Sequence, residues 1–411
     1  MLKRSLLCFL LCSTASLTVL FVRELQAHQD REQANLVHSC RTEQPQSFLA
    51  FGGGGAASYN EIALEKNMLY FQRTLQAMRY NPTVAPIFFA NGNSGQATVR
   101  YLDPQGEEKF KVPQIPNLQG ASTPANLRRS LQQLTQYPGI PIFFYFTGHG
   151  HFNQNNTDNN GIYLWGDQQM SVQQLSRLLD RLPSETPFVT MMSQCYSGSF
   201  ANLIYKGGDP KQGIALQTRC GFFATIKTEP SVGCTPEVNE ADYQDYSSSF
   251  YAGLSGRDRL GQSVASADYN QDGRVAYAEA HAFAKVEEQT TDLPISTSEA
   301  WLQRQSSPQF QEQILVQPIA NLLKTARPEQ RHVIERLSAK FSFRLGQSLA
   351  ENLSPIDEQK LDEVEQAYLT RLAVELENVG LEQQVRQSGN QSAIAILDRL
   401  LKCEADSWGR P

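Results

Sequence analysis

At 411 residues the chain is too long for one ordinary core, which points to a large domain with a smaller one attached. A net charge of −6 is mild, and no lysine or arginine run or basic stripe with interleaved aromatics occurs, so nothing supports nucleic-acid binding. The composition gives no sign of disorder.

The chain opens "MLKRSLLCFLLCSTASLTVLFVRELQAHQD", a basic pair followed by an almost uncharged apolar stretch from Leu6 to Val22. This is a signal peptide or an N-terminal membrane anchor over residues 1–27, with Ala27 a small residue at the cut and 28–46 a linker. Either version exports the rest, as a periplasmic or secreted protein or as a membrane-anchored one with its catalytic domain outside the cytoplasm. Beyond the leader, Cys40, Cys195, Cys220, Cys234 and Cys403 make an odd number in an oxidising compartment, so one thiol stays free. No pair is spaced as CxxC, which leaves disulfides as the ordinary role for four of them. A Cys220–Cys234 bridge and a Cys40–Cys403 bridge are expected, and Cys195 is the odd one out.

From Ser47 to about Glu288, the apolar runs "SFLAFGG", "VAPIFFANG", "IPIFFYFTG", "FVTMMSQ" and "CGFFATIKT" alternate with segments of helical periodicity. Strands that are apolar throughout predict an α/β domain, a mostly parallel sheet flanked by helices, with its active site at the C-terminal strand ends. From about Trp301 convincing strands stop and long helical patterns take over, so 299–411 is expected to be an all-α domain. "DLPISTSEAWLQRQSSPQ" is the expected connection between the two.

"FGGGGAAS", Phe51–Ser58, contains G-x-G-x-x-A after a strand. Its next strand ends in Ala90-Asn91 rather than the acid a dinucleotide ribose requires, so the glycines are read as a flexible rim to a cleft, and no organic cofactor is expected. "IFFYFTGHGHF" delivers His149 between glycines at a strand tip, with no packing reason for an imidazole there. "FVTMMSQCYSGSF" delivers Cys195 to a small-residue turn. Adjacent parallel strands would bring the two together as a base and a thiol nucleophile, with the backbone N–H groups of Gly150 and Cys195 facing an oxyanion.

"YFTGHG" and "SQCYSGSF" resemble the His-Gly and Cys blocks of the caspase-like cysteine peptidases, and the legumain type is the most similar branch. "SFLAFGGGGAASYN" and "FFATIKTEPSVGCTPEVNEADYQDYSSSFYAGL" extend the resemblance over about residues 47–256. It implies a caspase-like peptidase domain over 47–298, with Cys195 the nucleophile, His149 its base, Asn60 the residue orienting His149, and Asp245 an acid in the pocket for the side chain before the cleaved bond. The chain departs from the pattern at Ile62, where an arginine is expected, and at Ser193, where an acid is expected at the pocket. Asp245, helped by Glu61, would then favour a basic side chain. The helical C-terminal region takes the place of one that covers the active site in legumains, so an autoinhibitory role is expected, with stabilisation or partner binding as the alternative.

"DYNQDGRVAYAE", Asp268–Glu279, satisfies the D-x-N-x-D-G-x5-E calcium loop: Asp268, Asn270 and Asp272 supply side-chain oxygens, Arg274 its carbonyl and Glu279 a bidentate carboxylate. A helix-capping Asx turn is the plainer alternative. The combined expectation is an exported cysteine endopeptidase acting on polypeptides, with calcium as a structural or activating ion. The alternatives are a transamidase or ligase using the same acyl-enzyme, and an inactive calcium-dependent binding protein on a peptidase scaffold.

Overall fold

All five apolar runs form strands in the computed structural model, which describes residues 46–408. With two short strands that sequence patterning missed, they are β1 (Ser47–Gly53), β2 (Ile87–Phe89), β3 (Leu118–Gly120), β4 (Ile142–Gly148), β5 (Phe188–Met192), β6 (Arg219–Phe223) and β7 (Ile295–Ser296). They make one sheet in the order β7-β6-β5-β4-β1-β2-β3, parallel except for the antiparallel edge strand β7. From β1 the chain builds outward through β2 and β3, then crosses to β4 and builds the other way. The direction therefore reverses between β1 and β4, and a crevice forms at such a point, outside the strand C-termini.

Alternation along each strand sorts its side chains to two faces. Phe48, Ala50, Phe143, Tyr145, Val189 and Met191 bury one face against α1 (Ile62–Ala77), α4 (Tyr246–Ser255) and α5 (Tyr277–Glu287). Leu49, Phe51, Phe144, Phe146 and Met192 bury the other against α2 (Pro124–Leu134) and α3 (Val172–Leu179). The helix starts follow local chemistry. Thr123 caps α2 ahead of Pro124, and Ser171 with Gln174 forms a capping box on α3.

The C-terminal helices α6 (Thr297–Arg304), α7 (Pro328–Lys340), α8 (Glu363–Gln387) and α9 (Gln391–Glu404) pack on the β6–β7 edge: α6 and α9 on β6, α7 on α5, and α8 on α6. One pattern read as continuous, "PEQRHVIERLSAKFSFRLGQSLAENL", breaks after Lys340, where Ser342 adopts φ 55° and a second short helix, Leu349–Leu353, follows. The stretch read as a connection is instead β7 and α6. The expected boundary at 298–299 falls inside α6, and the described residues belong to one compact unit.

A packing contact and a disulfide fix the C-terminal region to the sheet. Trp408 is buried against Phe48 and Phe143, with ring centroids 5.0 Å from each. Cys403 of α9 forms a disulfide with Cys220 of β6, which corrects the expected Cys220–Cys234 bridge. The pairing nearest in sequence loses because Cys220 points to the face where α9 packs, while Cys234 lies beyond the strand tips, close to His149. Cys403 is thereby also taken from the expected bridge with Cys40, and Cys195 and Cys234 are both free. The leader 1–27, Cys40 and nearly all of the 28–46 linker lie outside the described residues. Among the described residues no helix is long and apolar enough to cross a membrane.

Candidate active site

His149 leaves β4 directly and Cys195 follows β5 by three residues, and those strands are parallel neighbours with Met192 beside Phe146. The two tips meet through their backbones. A Cβ on Gly150 would lie 1.9 Å from the Cys195 carbonyl oxygen, so only glycine lets the β4 tip approach the nucleophile turn this closely. The glycine run after β1 answers the same need: a Cβ on Gly54 would lie 1.9 Å from the Tyr59 carbonyl. Gly52–Gly55 are buried, so they are packing positions and not the expected flexible rim.

Glu61, immediately before α1, sits on the His149 ring: its Oε2 lies 2.9 Å from Nε2 while its Oε1 accepts from Arg100 at 2.8 Å. Burial alone would raise this carboxyl, yet the bonds from His149 and Arg100 hold it below its ordinary value. An ionised carboxylate only accepts, so Nε2 carries the proton in the neutral ring and Nδ1 is left with a lone pair. The Tyr59 ring meets the imidazole edge-on at 5.3 Å.

Asn60, expected to orient His149, does something else. Fully buried, it accepts from Gly54 N at 2.9 Å and donates to the Thr98 carbonyl at 3.1 Å, fastening the glycine turn. Glu61, expected at a specificity pocket, takes the orienting position. Although Glu61 stands one residue before α1, its side chain makes no cap bond and is turned instead to His149 and Arg100. That neighbour on the histidine was the signal available in sequence.

Cys195 Sγ lies 3.3 Å from Ser231 N and 3.5 Å from Ser231 O. Burial pushes the thiol above its ordinary value, with the nearby Asp292 carboxyl adding to the rise, while the amides of Ser231, Cys195 and Gly150 oppose it. The sulfur thus rests between the amide and the carbonyl of Ser231. Among the described contacts no hydrogen bond joins it to His149. The second free thiol, Cys234, lies with the His149 and Glu61 ligand atoms inside 4.8 Å, and burial pushes it well above the ordinary cysteine range. Its polar contact is the Gly148 carbonyl at 3.9 Å.

The remaining expected pocket residues are spoken for. Asp245 caps α4 through Ser248 N at 2.8 Å, accepts from Asn67 at 2.7 Å and stands 3.8 Å from Arg259; at 3% exposure it presents no free acid to a substrate. Ser193 continues the strand pairing, with its N donating to the Phe146 carbonyl at 3.0 Å, and is buried. The family resemblance implies a pocket position for both, whereas the N-cap and the strand ladder turn them inward. In the loop 268–279, Asp268 accepts from the amides of Asp272 and Gly273, Asn270 from Asp272, and Asp272 from Arg274. Glu279 accepts from the amides of Tyr269, Asn270 and Ala276.

No family model and no curated protein matches the chain. A structural-genomics protein from Geobacter sulfurreducens, known from a crystal structure, is similar over 61% of this chain and 92% of that chain, at 11% identity and a TM-score of 0.36.

Proposed function

We propose that the chain is an exported cysteine peptidase with Cys195 as nucleophile, His149 as general base and Glu61 as the residue that orients the base. The observation that carries this is the divided imidazole: Nε2 is held by an ionised buried carboxylate at 2.9 Å, which leaves Nδ1 its lone pair, and His149 stands at the tip of the strand that neighbours the one leading to Cys195. A thiol held protonated by burial needs such a base. In the proposed reaction, Nδ1 takes the Cys195 proton as Sγ attacks the peptide carbonyl. The amides of Gly150 and Cys195 take the developing oxyanion, and the imidazolium, stabilised by Glu61, returns the proton to the leaving amine. Water then hydrolyses the thioester. The strip Ser231–Cys234, partly exposed beside the sulfur, is where an extended substrate would lie.

The two free cysteines separate the roles. Cys195→Ser is expected to abolish cleavage of a fluorogenic peptide library, by at least about 10³-fold, while Cys234→Ser retains most of it. Glu61→Gln should lower kcat by about 10–10²-fold with little change in KM, since it acts only through His149. Activity that survives in Cys195→Ser and vanishes in Cys234→Ser would transfer the nucleophile to the other thiol and end this reading.

A further inference from the structure

The wall beside the nucleophile is held from behind by a side chain that belongs to no part of the proposed chemistry. Asp292 is completely buried, and its carboxylate takes the Ser231 hydroxyl at 2.6 Å and the Val232 amide at 2.9 Å. Ser231 in turn gives its amide to Cys195 Sγ at 3.3 Å. Asp292 is itself fixed by α8. The Arg371 guanidinium, 3% exposed, donates to the carbonyls of Asp292 at 2.7 and 2.9 Å, Glu288 at 2.7 Å, Thr290 at 2.8 Å and Lys285 at 3.2 Å. A guanidinium that gathers four carbonyls from the end of α5 and the turn after it is a clamp on backbone geometry, a task lysine's single ammonium cannot reproduce.

We infer that Arg371 and Asp292 form a positioning relay through which the C-terminal helices hold the Ser231–Val232 wall against Cys195, so that these helices complete the site. The inference rests on reading Cys195 as the nucleophile. Asp292 and Arg371 are positioning residues, since neither reaches a reacting atom. The charged and titratable groups around Asp292 are Arg371 from α8, Glu288 from its own turn, Asp245 at the start of α4, and the two thiols across the wall. Burial, with Asp245 adding to it and Arg371 opposing it, lifts Asp292 to about 7. Above that pH its anion disfavours a Cys195 thiolate.

Two measurements on the full described chain test the relay, and neither needs turnover: the pH dependence of Cys195 alkylation by iodoacetamide, assigned by peptide mass spectrometry, and amide hydrogen exchange at 230–234. Asp292→Asn removes the anion, so the alkylation midpoint should fall by about one pH unit and exchange at 230–234 should quicken several-fold. Ser231→Ala keeps the anion, so exchange should quicken while the midpoint stays. Arg371→Lys should quicken exchange at both 288–294 and 230–234. Wild-type midpoint and exchange in Asp292→Asn would overturn the relay. If that variant does not fold, unchanged exchange in both Ser231→Ala and Arg371→Lys overturns it instead. A Cys195 that alkylates as described in a protein that cleaves no peptide would sink the peptidase reading and leave the relay standing.

Discussion

The sheet core and the seam with the C-terminal helices are held by opposite chemistry. Around β1 and β4 the contacts are aromatic: Phe48, Phe71 and Phe143 each meet Trp408 edge to face, Tyr251 meets it at a tilt, and nothing there depends on ionisation. The seam buries charge. Lys285 of α5 pairs with Glu299 of α6 and with Glu375 of α8 at 2.6 Å, His281 stands 3.2 Å from Glu299, and Glu404 of α9 accepts from Ser298 N at 2.7 Å. An aromatic core degrades gradually when a side chain is trimmed. A buried ion cluster does not, because each charge is tolerable only while its partners remain. The candidate site inherits this brittleness, since Arg371 of the same seam clamps the turn behind Cys195.

The largest effect expected from this contrast follows deletion of the helices. A chain ending at Ser298 loses Arg371, Glu375, Cys403 and Trp408 together, opening the aromatic core and stranding Lys285. It should show no cooperative thermal transition by circular dichroism and no activity. This expectation favours the stabilising alternative over the autoinhibitory cap, since the residues described around His149 and Cys195, namely Tyr59, Glu61, Gly150, Ser231 and Cys234, all precede the helices. A folded truncated chain more active than the whole would restore the cap and dismantle the contrast.

Next in size is Lys285→Met. It leaves Glu375 without its cation and Glu299 with His281 alone opposite it in the interior, and such loss of one partner costs on the order of 3–5 kcal/mol. Changing both acids to Gln in the same background should recover most of it, measured by urea unfolding. A Lys285→Met protein within about 1 kcal/mol of wild type would mean the seam is wetter than its burial implies.

A smaller effect separates the two regions by pH. Burial raises Glu375, whose attraction to Lys285 is outweighed, and Glu404 each to about 7. A carboxyl whose folded value lies above its unfolded one binds protons on folding, so its contribution is most favourable below about pH 4 and is lost as pH rises to 7. Glu299 runs the other way, held low against burial by Lys285 and His281. Between pH 5 and 8 it stays ionised and adds no slope. Burial lowers His281 and His332, which favour the fold increasingly as pH rises to about 6.5, so the fall in melting temperature from the raised carboxyls should show most clearly above that pH. Glu404→Gln should flatten the fall, and an unchanged slope in that variant would remove Glu404 from the cause.

What could be read in advance divides along the same line. Five strands and the two chemical tips were visible because β propensity and strand ends are local: "IFFYFTGHG" carries its own apolar run, its stop and its histidine. The partner of His149 was one residue from the asparagine chosen for it, and only the turn of Glu61 away from the α1 cap decides between them. Asp292 and Arg371 were illegible. Their meaning comes from contacts spanning 60 to 86 residues, and each alone looks like a solvated surface charge. The disulfide failed for the same reason, since nearness in sequence says nothing about which face of β6 a cysteine occupies.

The smallest effect concerns calcium, which we propose for the loop 268–279 as a stabiliser of the fold. The loop has the right shape. Gly273 turns at φ 87°, and the Asp268 carboxylate folds inward onto the amides of Asp272 and Gly273 at 3.1 and 3.0 Å. Its donors are already employed, however. Both Glu279 oxygens accept backbone amides at 2.8 to 3.0 Å, and among the described residues the three loop acids do not converge as Glu61, His149 and Cys234 do. An ion would have to draw Glu279 off those amides, giving up part of what coordination contributes, so weak binding is expected. At a hundredfold excess over the dissociation constant the gain is about 2.7 kcal/mol, and at lower excess it shrinks with the logarithm. For a chain of this size, calcium against chelator should raise the melting temperature by about 2 to 5 degrees in the wild type and not in Glu279→Gln. Because the loop leads into α5, whose Lys285 anchors the seam, calcium should also slow hydrogen exchange at 277–287. A wild type whose melt and exchange ignore calcium would leave Glu279 as a helix cap and the loop as a chain of Asx turns.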